Sequence, residues 1–428
     1  VLRELILRNV GPAEALEFRP VAPRLNLITG DNGLGKSFLL EAAWWALTRT
    51  WNETPGVPNA PDASITYAFD GDTRLHGATS RWDPPSQTWS RAPGRPPNPG
   101  LVIYARVDGS FSTWDPARNY RLYRRADGSE AESPPAYQFR ASDVMEGLSR
   151  EVREGGALRS QRLCAGLIDD WTRWQAANDS RFELLRRLLK HIGPEGEALV
   201  PGKPRRPVLD DVREVPTIQM PYGQEVPLTY CPAGVKRMSK LAYLLAWTLS
   251  EHMAEAERIG QPVSRQVIVL LDEPETHLHP RWQRTVLTGL QAAIEEWHPE
   301  ASPEVQLLVA THSPLVLASM EPSFDSERDA LWQLELDAGL VHLHQDPWLR
   351  RGDVNRWLTS DVFALRAATA PEVEAVLEDA ARLLRLETPP SMEVQAVNRE
   401  LSRLLPEMDP FFIRWTHYMQ RHLERPAS

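Results

Sequence analysis

Apolar positions along this chain change their spacing several times, and each change marks an element. Val1 to Asn9 alternates like a strand, and so does the β-prone run Arg24-Leu-Asn-Leu-Ile-Thr29. Phe38 to Leu47 has helical composition without a breaker, and prolines 55, 58 and 61 end that helix near Trp51. From about 62 to 140 short alternating runs predict antiparallel strands and hairpins, among them Ser64–Phe69, Leu101–Arg106 and Tyr120–Tyr123. The Pro-rich stretch Arg91–Gly100 reads as a loop between them. Residues 141 to 192 predict helices, with Leu163, Leu167, Ile168, Trp171, Trp174 and Gln175 near one face.

The second half has a different pattern. A long helix is expected from Gly234, with Met238, Leu241, Leu245 and Leu249 at helical spacing. Val267–Leu271 and Val305–Ala310 are continuous apolar runs, followed by helices at Pro280–Trp297 and after Pro314. Strands that do not alternate, separated by helices, predict a parallel sheet covered on both faces. Residues from about 350 onward read as helical, with breaks at Pro389-Pro390 and Pro406. The expected class is α/β, in four segments. Residues 1–140 and 216–345 form two parts of one core, 141–215 a helical insertion, and 346–428 a helical C-terminal extension.

Composition narrows the function classes. No apolar run in the 428 residues approaches the roughly 18–20 that a membrane span needs. A formal charge of −10 argues against coating nucleic acid by bulk electrostatics, and leaves room for a local basic groove. Arg181, Arg186, Arg187, Lys190, Arg350 and Arg351 could touch DNA or a partner, although a solvated face is the commoner use. Cys164 and Cys231 stand far apart outside any C-x-x-C, which favours a reducing cytoplasm and gives no support for a zinc site.

Four strings carry chemistry. Gly30-Asp31-Asn32-Gly33-Leu34-Gly35-Lys36-Ser37 fits the P-loop pattern between a strand and a helix, its required context. Its backbone N–H groups and the helix start suit a phosphate chain, with Lys36 reaching the β- and γ-phosphates and Ser37 ligating Mg²⁺. The apolar run at 267–271 ends in Asp272-Glu273, a Walker B arrangement, where Asp272 would hold Mg²⁺ and Glu273 activate water. His312 follows the next strand in Ala310-Thr-His-Ser-Pro314 and could contact the γ-phosphate and that water. Lys36, Glu273 and His312 are therefore the catalytic candidates. Cys231-Pro-Ala-Gly-Val-Lys-Arg237 sets Lys236 and Arg237 at the positive end of a helix, which an anion would relieve.

In that order the P-loop, Ala233-Gly-Val-Lys-Arg237, Asp272-Glu-Pro-Glu-Thr-His-Leu-His-Pro280 and Ala310-Thr-His-Ser-Pro314 resemble the ABC-type ATPase heads of the RecF, OLD and SMC kind. The resemblance covers residues 30 to 314, about two thirds of the chain. It implies an ABC-type P-loop head with a mainly parallel core sheet, an antiparallel β-rich part, an inserted helical part and a helical tail. It also implies ATP and Mg²⁺ as cofactors, and a homodimer closed through ATP.

In such a dimer the P-loop residues, through Phe38, face Ala233, Gly234, Lys236 and Arg237 of a second copy. Pro232 replaces the usual signature serine, which puts turnover in more doubt than binding. Gln138 is the Q-loop candidate for the metal. No heptad array of the SMC type lies between Ser37 and Cys231, and no Toprim acid cluster follows residue 320. Gly166–Gln175, Asp346–Asp353 and Asp409–Trp415 are similar to the ATPase subunit of Septu-type anti-phage defence, which works with a separate HNH nuclease. A RecF-like DNA-repair ATPase and a nucleotide-binding scaffold with little turnover are the alternatives.

Overall fold

The computed structural model describes residues 1–423 except 53, 54, 71–76, 91–97, 121, 122, 125–129, 132–135, 155, 156, 195, 298–301, 364, 366, 367, 387, 388 and 407. Most of the Arg91–Gly100 loop and part of Tyr120–Tyr123 thus lie outside the described residues. The chain divides into two compact units, Val1–Gly352 and Asp353–Ser428. No helix among the described residues is long and apolar enough to cross a membrane.

An eight-stranded sheet organises the first unit. Its order is Tyr137–Phe139, Phe111–Trp114, Leu101–Ala105, Gln266–Asp272, Glu304–Ala310, Leu25–Gly30, Asp329–Asp337 and Leu340–Asp346. The five strands from Leu101–Ala105 to Asp329–Asp337 run parallel, as continuous burial on both faces requires. Register aligns Asp272 with Ala310, and Ala310 with Ile28, so three strands end level at one edge. That edge carries the chemistry.

Leu101–Ala105 corrects the expectation of a hairpin region, since it pairs in parallel with Gln266–Asp272 and only its other side is antiparallel. Asp329–Asp337 and Leu340–Asp346, an antiparallel pair at the opposite end, were not anticipated from the sequence.

A second, antiparallel sheet contains Ala15–Phe18, Leu2–Arg8, Ser64–Phe69, Ala78–Asp83 and Thr88–Trp89 in that order. Polar clamps in the interior join it to the parallel sheet. Gln306, fully buried in its strand, donates to Leu2 O and Ala22 O and accepts from Leu2 N–H. The two bonds to Leu2 are made where water cannot replace them. Phe18 meets Trp332 edge to face at 4.8 Å, and the Trp332 indole donates to Asn26 Oδ1 at 3.2 Å. The helix Lys36–Thr48 is almost wholly buried, with Leu39, Leu40, Ala43 and Trp44 in the shared core.

Residues 148–164 are not helical as expected. Leu148–Glu154 and Ala157–Cys164 form an antiparallel hairpin, and helices begin only at Leu167–Ala176 and Ser180–Ile192. The helix expected over 280–297 is interrupted, with Pro280–Gln283 and Val286–Glu295 separated at Arg284-Thr285. The long helix is present as Ala233–Arg258. In the second unit, helices Pro371–Leu384, Ser391–Leu404 and Pro410–Leu423 bury Leu383, Val394, Leu401 and Trp415 together. The Trp415 indole donates to Asn398 Oδ1 at 3.1 Å.

Candidate active site

The strand Leu25–Gly30 runs into a loop whose first and last glycines are sterically required. Gly35, just before the helix, has φ +100°, and a Cβ there would lie 2.5 Å from Pro12 Cγ. A Cβ at Gly30, φ +137°, would meet Leu334 O at 2.3 Å. Asp31, Asn32 and Gly33 form an exposed rim, Leu34 is buried, and Phe38 closes over Gly11. Lys36 folds back over the loop: Nζ donates to Gly30 O at 2.7 Å and to Asp31 O at 2.8 Å. Burial pushes the pKa of this ammonium down, while Glu273 and Asp272 pull it back up.

Ser37 Oγ donates to Asp272 Oδ1 at 3.0 Å, joining the P-loop to the end of the Gln266–Asp272 strand. Burial is the main force on Asp272 and pushes its carboxyl up to about 6, against the Ser37 hydrogen bond. The next residue is strained. Glu273 has φ +46°, a left-handed conformation that costs a non-glycine residue about 1–3 kcal/mol. Its N–H donates to Ala310 O at 2.9 Å, which ties the strained turn to the neighbouring strand.

The Glu273 carboxylate is held on both sides. Thr276 Oγ1 donates to Oε2 at 3.1 Å, and His312 Nε2 stands 3.2 Å from Oε1. Burial, followed by the positive charge of Lys36, lowers the His312 pKa below its ordinary value.

Sequence reasoning assigned no role to Glu275. It is buried, and its Oε1 accepts from Thr311 Oγ1 at 2.6 Å and from His312 N–H at 3.0 Å. Glu275 thus fixes the backbone that presents His312. The signal was in the string Asp272-Glu-Pro-Glu275, whose third acid was read only as part of a motif.

The other candidates are distributed differently. Pro232 and Ala233 are exposed at the start of the helix Ala233–Arg258, with Gly234 half-buried behind them. Lys236 Nζ donates to Thr229 O at 3.3 Å. Arg237, expected to face a second copy, donates within its own chain, to Val107 O at 2.7 Å and Glu273 O at 2.9 Å. Gln138 lies on the edge strand, its amide donated to Trp51 O at 2.8 Å. Two strands separate it from the Asp272 strand, a distance on the order of 14 Å. The structure therefore joins Lys36, Ser37, Asp272, Glu273 and His312, and leaves Gln138 apart.

Ser37 Oγ and Asp272 Oδ1 are adjacent hard oxygen donors, and no group of three or more His, Cys, Asp or Glu among the described residues could enclose a metal. This donor set suits a cation that takes its remaining ligands from phosphate and water, as Mg²⁺ does.

Two family models match the chain. One, described as "AAA domain", covers residues 4–81, and the other, "AAA domain, putative AbiEii toxin, Type IV TA system", covers residues 113–318. A "Retron Vc95 probable ATPase" from Vibrio cholerae serotype O1 biovar El Tor is 39% identical over 62 residues. That stretch is 14% of this chain and spans only 10% of the relative. The SMC head domain from Thermotoga maritima is 14% identical, at TM-score 0.37, over 81% of this chain and 99% of its own. The Smc head domain with an extended coiled coil, from Pyrococcus furiosus and bound to the C-terminal domain of ScpA, is 11% identical at TM-score 0.38, over 80% and 96%.

Proposed function

We propose that this chain, a P-loop ATPase, is a nucleotide-gated head: two copies associate around ATP, and hydrolysis resets a separate effector. The observation that carries the reading is the convergence of Lys36, Ser37, Asp272, Glu273 and His312 on one edge of the parallel sheet. In this reading residues 1–140 and 216–345 are the two parts of the head, 141–215 an insertion and 346–428 an extension.

ATP would lie along the loop 30–37, with Lys36 turning from the Gly30 and Asp31 carbonyls to the β- and γ-phosphates. Ser37 and Asp272 would hold Mg²⁺, which supplies charge neutralisation at the phosphates. Glu273 takes a proton from the attacking water as oxygen bonds to the γ-phosphorus and the bond to the β-phosphate oxygen breaks. His312 holds the other side of that carboxylate, and Glu275 and Thr276 keep the pair in place.

The exposed start of the helix Ala233–Arg258, with the N–H groups of Ala233 and Gly234 and its positive dipole end, would cap the nucleotide bound by the second copy. The effector would be a nuclease of the HNH type, in a Septu-like anti-phage system. A relative named as a retron ATPase, and a family model described with a Type IV TA system, favour this over DNA repair. Sedimentation of Glu273→Gln with ATP and Mg²⁺ tests the gate. A dimer that disappears when Lys36→Ala is added supports it, and a monomer at every nucleotide concentration would refute it. Pro232, which offers no hydroxyl, favours one rival, a scaffold that binds ATP without turnover. Steady-state phosphate release above the Lys36→Ala level excludes that rival.

A further inference from the structure

Beside the P-loop site a cavity of about 360 Å³ opens between the turn 105–111 and the first turns of the helix Ala233–Arg258. Lys236, Arg237 and Lys240 line one wall; Arg106 adds a fourth cation to the lining, and Asp108 and Asp272 add two carboxylates. Among the described residues none of the three makes an ion pair with a carboxylate. Lys236 Nζ donates to Thr229 O, Lys240 Nζ to Ala141 O at 3.2 Å, and Arg237 to Val107 O and Glu273 O. Lys236 and Lys240 are four residues apart on one helix, a like-charge spacing that destabilises it, and Lys236 sits near its positive end. Burial, and then the charge of Lys236, lower the pKa of the Lys240 ammonium.

The chain has only five lysines among its 48 cationic residues, so two unpaired ones on a single wall are a costly use of a rare residue. An anion would remove the cost. Leu241, Leu244 and Phe111 make another part of the lining apolar, which suits a ring more than a bare ion.

We propose that this cavity is a second ligand site, taking a small ring-bearing monophosphate of mononucleotide size, and that its occupancy reaches Glu273 through Arg237. A phosphate within reach of the Arg237 guanidinium competes with the Glu273 carbonyl for the same N–H groups. Releasing that carbonyl loosens the strained turn that aims the Glu273 carboxylate. The coupling half rests on Glu273 being the general base, whereas the binding half does not.

Pyridoxal 5′-phosphate followed by borohydride tests binding in the full chain carrying Lys36→Ala, which removes the P-loop lysine. Peptide mapping should show Lys240 or Lys236 modified at least tenfold faster than the exposed Lys190 and Lys203. AMP should protect them at lower concentration than inorganic phosphate does. Equal rates at all four lysines would overturn the site, and equal protection by phosphate would overturn the ring. Protection by AMP seen in the wild-type chain and absent from Lys36→Ala would assign the cations to the second copy's nucleotide, and overturn the proposal as well. Coupling is read separately: at saturating ATP, protecting concentrations of AMP should change wild-type turnover at least threefold and leave Lys240→Met unaffected. The same response in both would sink the coupling while the labelling result stands.

Discussion

Ser37 and Asp272 are 235 residues apart in sequence and meet at 3.0 Å, hydroxyl to carboxylate. The contact spans two parallel strand ends that are not neighbours, with Glu304–Ala310 between them. Positioning of the phosphate loop and of the acid is therefore one property of one sheet.

Asp272 ties pH to stability. Its carboxyl is pushed from an ordinary 3.8 to about 6, so the folded, nucleotide-free chain binds a proton more tightly than the unfolded one. The stability this provides is fully present below about 4 and is lost as pH rises through about 6, amounting to about 3 kcal/mol over the window. Asp272→Asn should therefore raise the denaturant midpoint of the nucleotide-free protein at pH 7.5 and not at pH 4. An unchanged midpoint at pH 7.5 would mean that the carboxylate is better solvated than its burial implies.

Burial of the Lys36 ammonium offsets what its bonds to the Gly30 and Asp31 carbonyls contribute, so its removal should disturb the empty fold little. Lys36→Ala is expected to melt within a few degrees of wild type and to lose the gain that ATP confers. That gain is about 2.7 kcal/mol when ATP stands at a hundred times its Kd. Differential scanning fluorimetry with and without ATP reads both.

His312 is held neutral near pH 7 by burial and by Lys36. His312→Asn should lower turnover about a hundredfold while ATP affinity stays within a few-fold, because the ring touches the base and not the loop. Wild-type turnover should fall on the acid side of the ordinary imidazole value of 6.5, where the ring gains a proton. Rate profiles from pH 5 to 8 for both proteins decide this.

Arg24 and Asp329 form an ion pair with the carboxylate fully buried, joining the start of the P-loop strand to its neighbour. Arg24→Met leaves that carboxylate unpaired and should cost about 3–5 kcal/mol in equilibrium unfolding. A loss under 1 kcal/mol would show that water reaches Asp329.

The site was legible where its chemistry is written in contiguous strings. Gly30–Ser37 and Asp272-Glu273 each sit at the end of a buried strand, and the apolar runs before them located the sheet. Single runs could not supply strand order. Leu101–Ala105 reads the same whether its neighbour is parallel or antiparallel, so it was placed with the hairpins. The ribbon Leu148–Glu154 and Ala157–Cys164 was missed for another reason. Ser149, Glu151, Leu158, Arg159 and Arg162 are all exposed, so no apolar stripe marks the period of two. Gly155-Gly156 between the two strands was the remaining signal. Arg237 donates to carbonyls of its own chain, partners that no sequence signal announces, because a helix-end cation looks the same whether it meets a phosphate or a carbonyl.

The position of Leu25–Gly30 also matters for biosynthesis. Both neighbours of this strand, Glu304–Ala310 and Asp329–Asp337, come from much later in the chain. At roughly 5–20 residues per second a ribosome needs about 15–60 seconds to deliver the second of them. Until the first arrives the nascent chain carries an apolar strand with both edges open, and until the second arrives one edge stays open, a template for wrong pairing. Expression yield of this protein should thus depend on holdase chaperones, and chains truncated before residue 329 should accumulate as aggregates.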